Sequence, residues 1–133
     1  MQYAIARAGL PAPAALKRWA RAAAPHLALT LRVVDGREGR ALNRRFRRRD
    51  HATNVLSFPY GHSGDIVLCH PVIAREARKQ RKSVRAHYAH LVVHGMLHLR
   101  GYAHGQRMEA REVRLLRRCG FRNPYTVESG GTA

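Results

Sequence analysis

The period of the apolar positions changes from segment to segment along the chain, and each change predicts an element. Leu27 to Val34 (LALTLRVV) alternates apolar and polar every second residue, the pattern of a half-buried strand, and stops at the turn dipeptide Asp35-Gly36. Arg37 to Arg48 follows, rich in helix formers. Thr53 to Phe58 and Asp65 to Cys69 are short β-type runs separated by Pro59 to Gly64, which predicts a hairpin-like pair. Upstream, Met1 to Arg7 alternates weakly as an opening strand, and Pro11 to Ala24 has proline at its start and good helix formers after it, with Trp19 packing it on the core. Downstream, Pro71 opens a helix to about Arg81, and Ser83 is an N-cap for a helix from Val84 to Leu99. Gln106 to Cys119 is a last helix, closed by Gly120 in the left-handed cap position. Strands alternating with helices ahead of a helical C-terminal half predict an α/β fold bordering on α+β.

Composition then narrows the class. The 133 residues suit one domain, taken as 1–127, with 128–133 as a flexible tail. A hydrophobic content of 45% excludes a disordered basic tail. With 25 Lys+Arg against 8 Asp+Glu the chain carries +17, a field that attracts polyanions, so nucleic acid is the expected partner. All but three of those cations are arginine, whose planar fork suits phosphate. Arginine bias with many alanines also records a GC-rich genome, so the charge carries more of this argument than the arginine identity. The sequence has no apolar run long enough to span a membrane and no charged, then apolar, leader. Cys69 and Cys119 lie far apart without a CxxC partner, which fits a reducing cytoplasm.

The main chemical signal is histidine. Five of the nine histidines fall between His87 and His104, in AHYAHLVVHGMLHLRGYAH. On a helix, His87, His90, His94 and His98 form one stripe whose members four apart can share a ligand. The other side chains of that helix are apolar nearly all round, so it is expected to be buried. Burying several imidazoles costs about 1–3 kcal/mol for each group left without a partner. A metal ion satisfies three at once. His94 and His98 supply two nitrogens, Gly101 permits the turn that ends the helix, and His104 folds back as the third, placing the metal site at the C-terminal end of a buried helix. Three neutral nitrogens and no thiolate suit one catalytic Zn2+ with its fourth position open. The competing reading is a histidine-rich core bonded to backbone, with no metal. His87 and His90 read as core or supporting groups.

HGMLHLRGYAH, preceded by LNRRFRRRD (Leu42 to Asp50), TNVLSFP and GDIVLC and followed by GFRNPY, resembles the YbeY family of bacterial ribosomal RNA maturation factors, which are metal-dependent single-strand endoribonucleases. The resemblance covers about residues 27 to 125. It implies a small mixed β-sheet packed against several helices, zinc on His94, His98 and His104, and a functional arginine, Arg47, near the metal. It also implies cleavage of single-stranded RNA in rRNA precursors, including 16S rRNA 3′ end processing and ribosome quality control, and contact with the small ribosomal subunit or its proteins. The chain departs from the family pattern at one position and in two stretches, since the connection from Pro59 to Gly64 and the stretch after His104 are shorter than usual and mostly lack acidic residues. Where the family closes with G-Y-D-H this chain has Gly101-Tyr102-Ala103-His104, so a carboxylate beside the third histidine is missing.

The same histidines are in register with zinc proteases of the H-E-x-x-H-x-x-G-x-x-H type, but Gly95 stands where their glutamate acts as general base, a loss of roughly 100- to 10,000-fold. For phosphodiester cleavage Arg47 would offset charge developing on phosphate. Whether a metal hydroxide or the RNA 2′-OH attacks is left open by the residues. Arg44, Arg45 and Arg48 beside Arg47, and the row Arg107, Arg111, Arg114 and Arg118 on the last helix, are candidate RNA contacts, against the alternative of merely solvated faces. Arg75, Arg78, Lys79, Arg81, Lys82 and Arg85 crowd the approach to the metal helix. Phe58, Tyr60 and Tyr102 are aromatic enough to stack bases, with Phe58 better placed in the core. A non-catalytic module, in which zinc braces a ribosome assembly factor that binds RNA, is the alternative to the enzyme.

Overall fold

The computed structural model describes residues 1–5, 9–103 and 105–125. Along these the elements are β1 (Gln2–Tyr3), α1 (Pro13–Ala23), β2 (Ala28–Val34), α2 (Gly36–Arg47), β3 (Val55–Tyr60), β4 (Ser63–Cys69), α3 (His70–Lys79), α4 (Val84–Leu99) and α5 (Gln106–Arg118). The strands form one mixed sheet in the order β1-β2-β4-β3. β1 runs parallel to β2, β2 parallel to β4 over Ala28↔Ser63 to Val34↔Cys69, and β3 antiparallel to β4. The hairpin expected from TNVLSFP and GDIVLC is therefore present, and β3 is an edge strand, where the missing N–H of Pro59 is tolerated. The opening strand is two residues long, shorter than the alternation predicted, and residues 6–8 and the expected tail lie outside the described residues.

Strand periodicity sorts the side chains onto two faces. Ile66 and Leu68 of β4, with Leu31 and Val33 of β2, join the main core with Leu16 and Trp19 of α1, Ile73 of α3, and the buried faces of α4 and α5. The intervening Val67 and Cys69, with Val34 and Leu56, pack on the opposite face, where Leu42 of α2 covers them. α4 lies at the centre of the main layer, against α1, β3, β4, α3 and α5. Its Tyr88, Leu91, Val92, Val93, Met96 and Leu97 are buried, each contributing about 1.5–3 kcal/mol of apolar transfer. This all-round burial is what the sequence predicted for the histidine helix. Ser83 caps it as expected, its Oγ accepting the Ala86 N–H at 3.0 Å. The C-terminal end of α5 is pinned by Phe121, whose ring meets Trp19 edge-on at 5.4 Å.

Candidate metal centre

The close passage of α4 over the sheet is fixed by Gly95. A Cβ there would lie 3.0 Å from Ile66 Cδ1 and 3.1 Å from Ser57 Oγ, so a larger side chain would make those side chains give by a few tenths of an ångström. Beyond Leu99 the chain reverses. Gly101 takes φ +94°, its N–H reaches His98 O at 2.9 Å, and the Tyr102 N–H reaches Leu97 O at 3.0 Å. That reversal carries the Tyr102 carbonyl back to His98. His104, the third predicted ligand, lies outside the described residues, and Ala103 is exposed beside it.

His94 and His98, one turn apart, bring their Nε2 atoms to 3.1 Å, with ring centroids 4.6 Å apart and planes nearly perpendicular. The far side of each ring is committed. His98 Nδ1 lies 3.1 Å from the Tyr102 carbonyl, and His94 Nδ1 lies 3.3 Å from Glu112 Oε1. A carbonyl and an ionised carboxylate only accept, so each Nδ1 carries a proton, and in the singly protonated ring the Nε2 carries the lone pair. Two lone pairs face one another across 3.1 Å, an arrangement that repels unless a cation or a proton lies between them. Two nitrogens held at about 2.0–2.1 Å by one tetrahedral ion would be roughly 3.3 Å apart, so the pair fits a shared metal ion.

Glu112 of α5 is fully buried beneath this pair. Its Oε2 accepts from His90 Nε2 at 2.8 Å, its Oε1 from His94, and the Tyr125 hydroxyl lies 2.8 Å from both oxygens. Burial alone would push this carboxyl up; the bonds from His90, His94 and Tyr125 outweigh it and hold the group at about 2. Tyr125 in turn is raised, by burial and by its bond to Glu112. His90, His94 and Glu112 also form a group whose ligand atoms all lie within 4.8 Å of one another and that could itself hold a metal ion. His94 thus borders two places for a cation, one on each ring nitrogen. Neither Glu112 nor Tyr125 was singled out from the sequence. The available signal was the inward stripe of α5, where Met108, Glu112, Leu115 and Leu116 are the buried residues and one of the four is acidic.

Arg47 sits at the C-terminal end of α2, exposed, with one Nη donating to the Ser57 carbonyl at 3.3 Å. The Ser57 hydroxyl reaches Gly95 O at 3.3 Å, so α2, β3 and the histidine helix meet at one strand position. Arg44, Arg45 and Arg48 are exposed around it, and Arg45 lies over the exposed Phe46 ring at 5.2 Å. Phe58 packs edge-on against Phe46 at 5.3 Å, and Tyr60 is exposed at the end of β3. The second arginine row divides: Arg107, Arg114 and Arg118 are exposed, whereas Arg111 is half-buried. Met108 and Glu112 on the same helix turn inward, while Arg107, Arg114 and Arg118 face solvent. A cleft of about 1180 Å³ runs from His94, His90 and Glu112 to Lys79, Arg81 and Lys82, so part of the basic set ahead of α4 does border the histidine side.

The family model described as Endoribonuclease YbeY matches residues 13–120. Among curated proteins, Endoribonuclease YbeY of Stenotrophomonas maltophilia (strain K279a) is 44% identical over 149 residues, covering 96% of this chain and 92% of the relative. That of Thiobacillus denitrificans is 45% identical, covering 94% and 93%. That of Cupriavidus pinatubonensis is 51% identical over 90% of this chain, which spans 65% of the relative's length. The solution structure of the Thermotoga maritima protein TM1509 shares the fold at a TM-score of 0.59 and 25% identity, over 77% of this chain and 75% of that one. Among the described residues no helix is long and apolar enough to cross a membrane.

Proposed function

The chain belongs to the YbeY endoribonuclease family, and from that premise we propose that it is a zinc-dependent, single-strand-specific endoribonuclease of ribosomal RNA maturation. The observation that carries this reading is the His94–His98 pair, with Nε2 atoms 3.1 Å apart and both Nδ1 protons committed elsewhere. His94 and His98, joined by His104 from beyond the Gly101 turn, would hold one zinc ion per chain. When bound, the ion supplies Lewis acidity toward a phosphodiester and lowers the pKa of water.

The chain's own residues supply the rest. Arg47 is tethered by one donor to the Ser57 carbonyl, which leaves its other N–H groups for phosphate oxygens as negative charge builds on them. Gly95 stands at the position where zinc proteases of this spacing hold their carboxylate base, which disfavours peptide hydrolysis. Arg44, Arg45 and Arg48 extend the cationic field beside Arg47, and the exposed arginines of α5 form a second field for the rest of a strand. The substrate class is single-stranded rRNA precursor, including the 16S rRNA 3′ end, handled in the cytoplasm on or near the small ribosomal subunit.

Purified protein should cleave single-stranded RNA in a metal-dependent way, and His98→Ala should abolish cleavage while leaving the circular dichroism spectrum near wild type. RNA binding without metal-dependent cleavage by the wild type would favour the zinc-braced assembly factor instead.

A further inference from the structure

We propose that Glu112 is a positioning residue: its carboxylate, clamped by Tyr125, keeps the proton of His94 on Nδ1 and so turns the Nε2 lone pair toward His98 and the metal. The inference rests on the reading that His94 and His98 share the ion, and it assigns to Glu112 a part other than that of a ligand.

The geometry separates the two parts. A carboxylate that coordinates an ion through its oxygens must give up donors there, yet both Glu112 oxygens already accept hydrogen bonds. His90 Nε2 lies 2.8 Å from Oε2, His94 Nδ1 lies 3.3 Å from Oε1, and the Tyr125 hydroxyl lies 2.8 Å from each. A cation among His90, His94 and Glu112 would displace the protons that hold His90 and His94 in place, and would shift the His94 proton to Nε2, toward His98. The carboxylate is instead saturated by donors in a buried place, where losing any one leaves an unsatisfied group. Imidazole orientation by a second carboxylate is the usual way a ligand ring is locked, and losing such a partner costs metal affinity roughly 10- to 100-fold.

Tyr125 reaches Glu112 because the chain beyond α5 folds back. Phe121 anchors against Trp19, and the Tyr125 N–H donates to Asn123 Oδ1 at 2.8 Å, a local turn that points the phenol inward. The phenol donates to the carboxylate, which in turn meets His94 Nδ1, and it also lies 3.3 Å from His90 Nε2. The order of action is therefore Tyr125 on Glu112, and Glu112 on His94.

The direct test is the tautomer of His94 in metal-free protein, read from the 15N shifts of the ring by NMR. The wild type should carry its proton on Nδ1, and Glu112→Gln should shift population to the Nε2 tautomer and weaken Zn2+ binding, measured by chelator competition, about 10- to 100-fold with stoichiometry kept at one. Tyr125→Phe should retain the Nδ1 tautomer with a smaller loss of affinity. A wild-type His94 protonated on Nε2 would overturn the proposal without the need for any variant, as would zinc lost altogether from Glu112→Gln but retained by His98→Ala, which would make Glu112 a ligand. Wild-type protein that binds no Zn2+ while His94 carries its proton on Nδ1 would overturn the metal reading and leave the positioning geometry standing.

Discussion

Of the three imidazole–carboxylate contacts that helix α4 makes, the first, at His87, and the last, at His94, differ in what the ring's second nitrogen meets. Near its start, His87 Nε2 lies 2.8 Å from Glu76 Oε1, which also accepts from Asn54 Nδ2 at 2.9 Å. Two turns later, His94 Nδ1 meets Glu112. In the first pair the remaining nitrogen, His87 Nδ1, is buried with no hydrogen-bond partner among the described residues. In the last the remaining nitrogen faces another imidazole at 3.1 Å. Burial lowers the pKa of His87 against the opposing pull of Glu76, so that ring stays neutral and braces α3 against α4. A histidine–glutamate contact alone does not mark a metal centre; what the second nitrogen meets decides between a brace and a ligand.

The largest effect that can break this contrast is on catalysis. His98→Ala removes the partner of His94 Nε2 and should take metal-dependent RNA cleavage below detection, whereas His87→Gln should keep most of it; equal losses in a cleavage assay would erase the distinction. Arg47→Glu reverses charge beside the site and should lower kcat about 100- to 1,000-fold, with a thermal melt close to wild type because the side chain is exposed. Turnover at the wild-type rate would remove Arg47 from the reaction. Gly95→Ala pushes α4 away from Ser57 and Ile66 and should cost about 1–3 kcal/mol in urea unfolding; an unchanged midpoint would mean the strands give way easily.

The smallest effect belongs to the brace. Because the folded pKa of His87 lies below the ordinary 6.5, the unfolded chain takes up a proton that the folded state refuses as pH falls through that value. The stabilisation is present above about pH 6.5 and drains away toward the lower folded pKa. His70, half-buried beside the Tyr88 hydroxyl and lowered in the same direction by desolvation, adds to it. Urea midpoints should therefore fall between pH 7.5 and 5.5 in metal-free protein, and fall less in His87→Gln; the same drop in both would assign the pH dependence elsewhere.

How much of this was legible follows the range of the interactions. The bounds of α4, its Ser83 cap and the reversal at Gly101 are local, and the structure has them where the sequence placed them. The His94–His98 approach is a spacing of four on one helix, also local. Glu112 is not: it joins His94 from another helix, 18 residues on, and Tyr125 joins His90 from 35 residues on. In the sequence it is one of two acids among the arginines of α5. Its place in the stripe of Met108, Leu115 and Leu116 was the sign that it points inward, and what it would meet there depended on how α5 docks on α4. Arg47 was legible only through the family resemblance, since its neighbours in sequence are arginines too; its tether to Ser57 is a contact between α2 and β3.

The central claim is that His94 and His98 hold a metal ion between them. It is tested most directly by elemental mass spectrometry of the purified protein beside His94→Ala/His98→Ala. The account predicts close to one zinc per chain in the wild type and none in the variant; no metal in either, or the same zinc content in both, would contradict it.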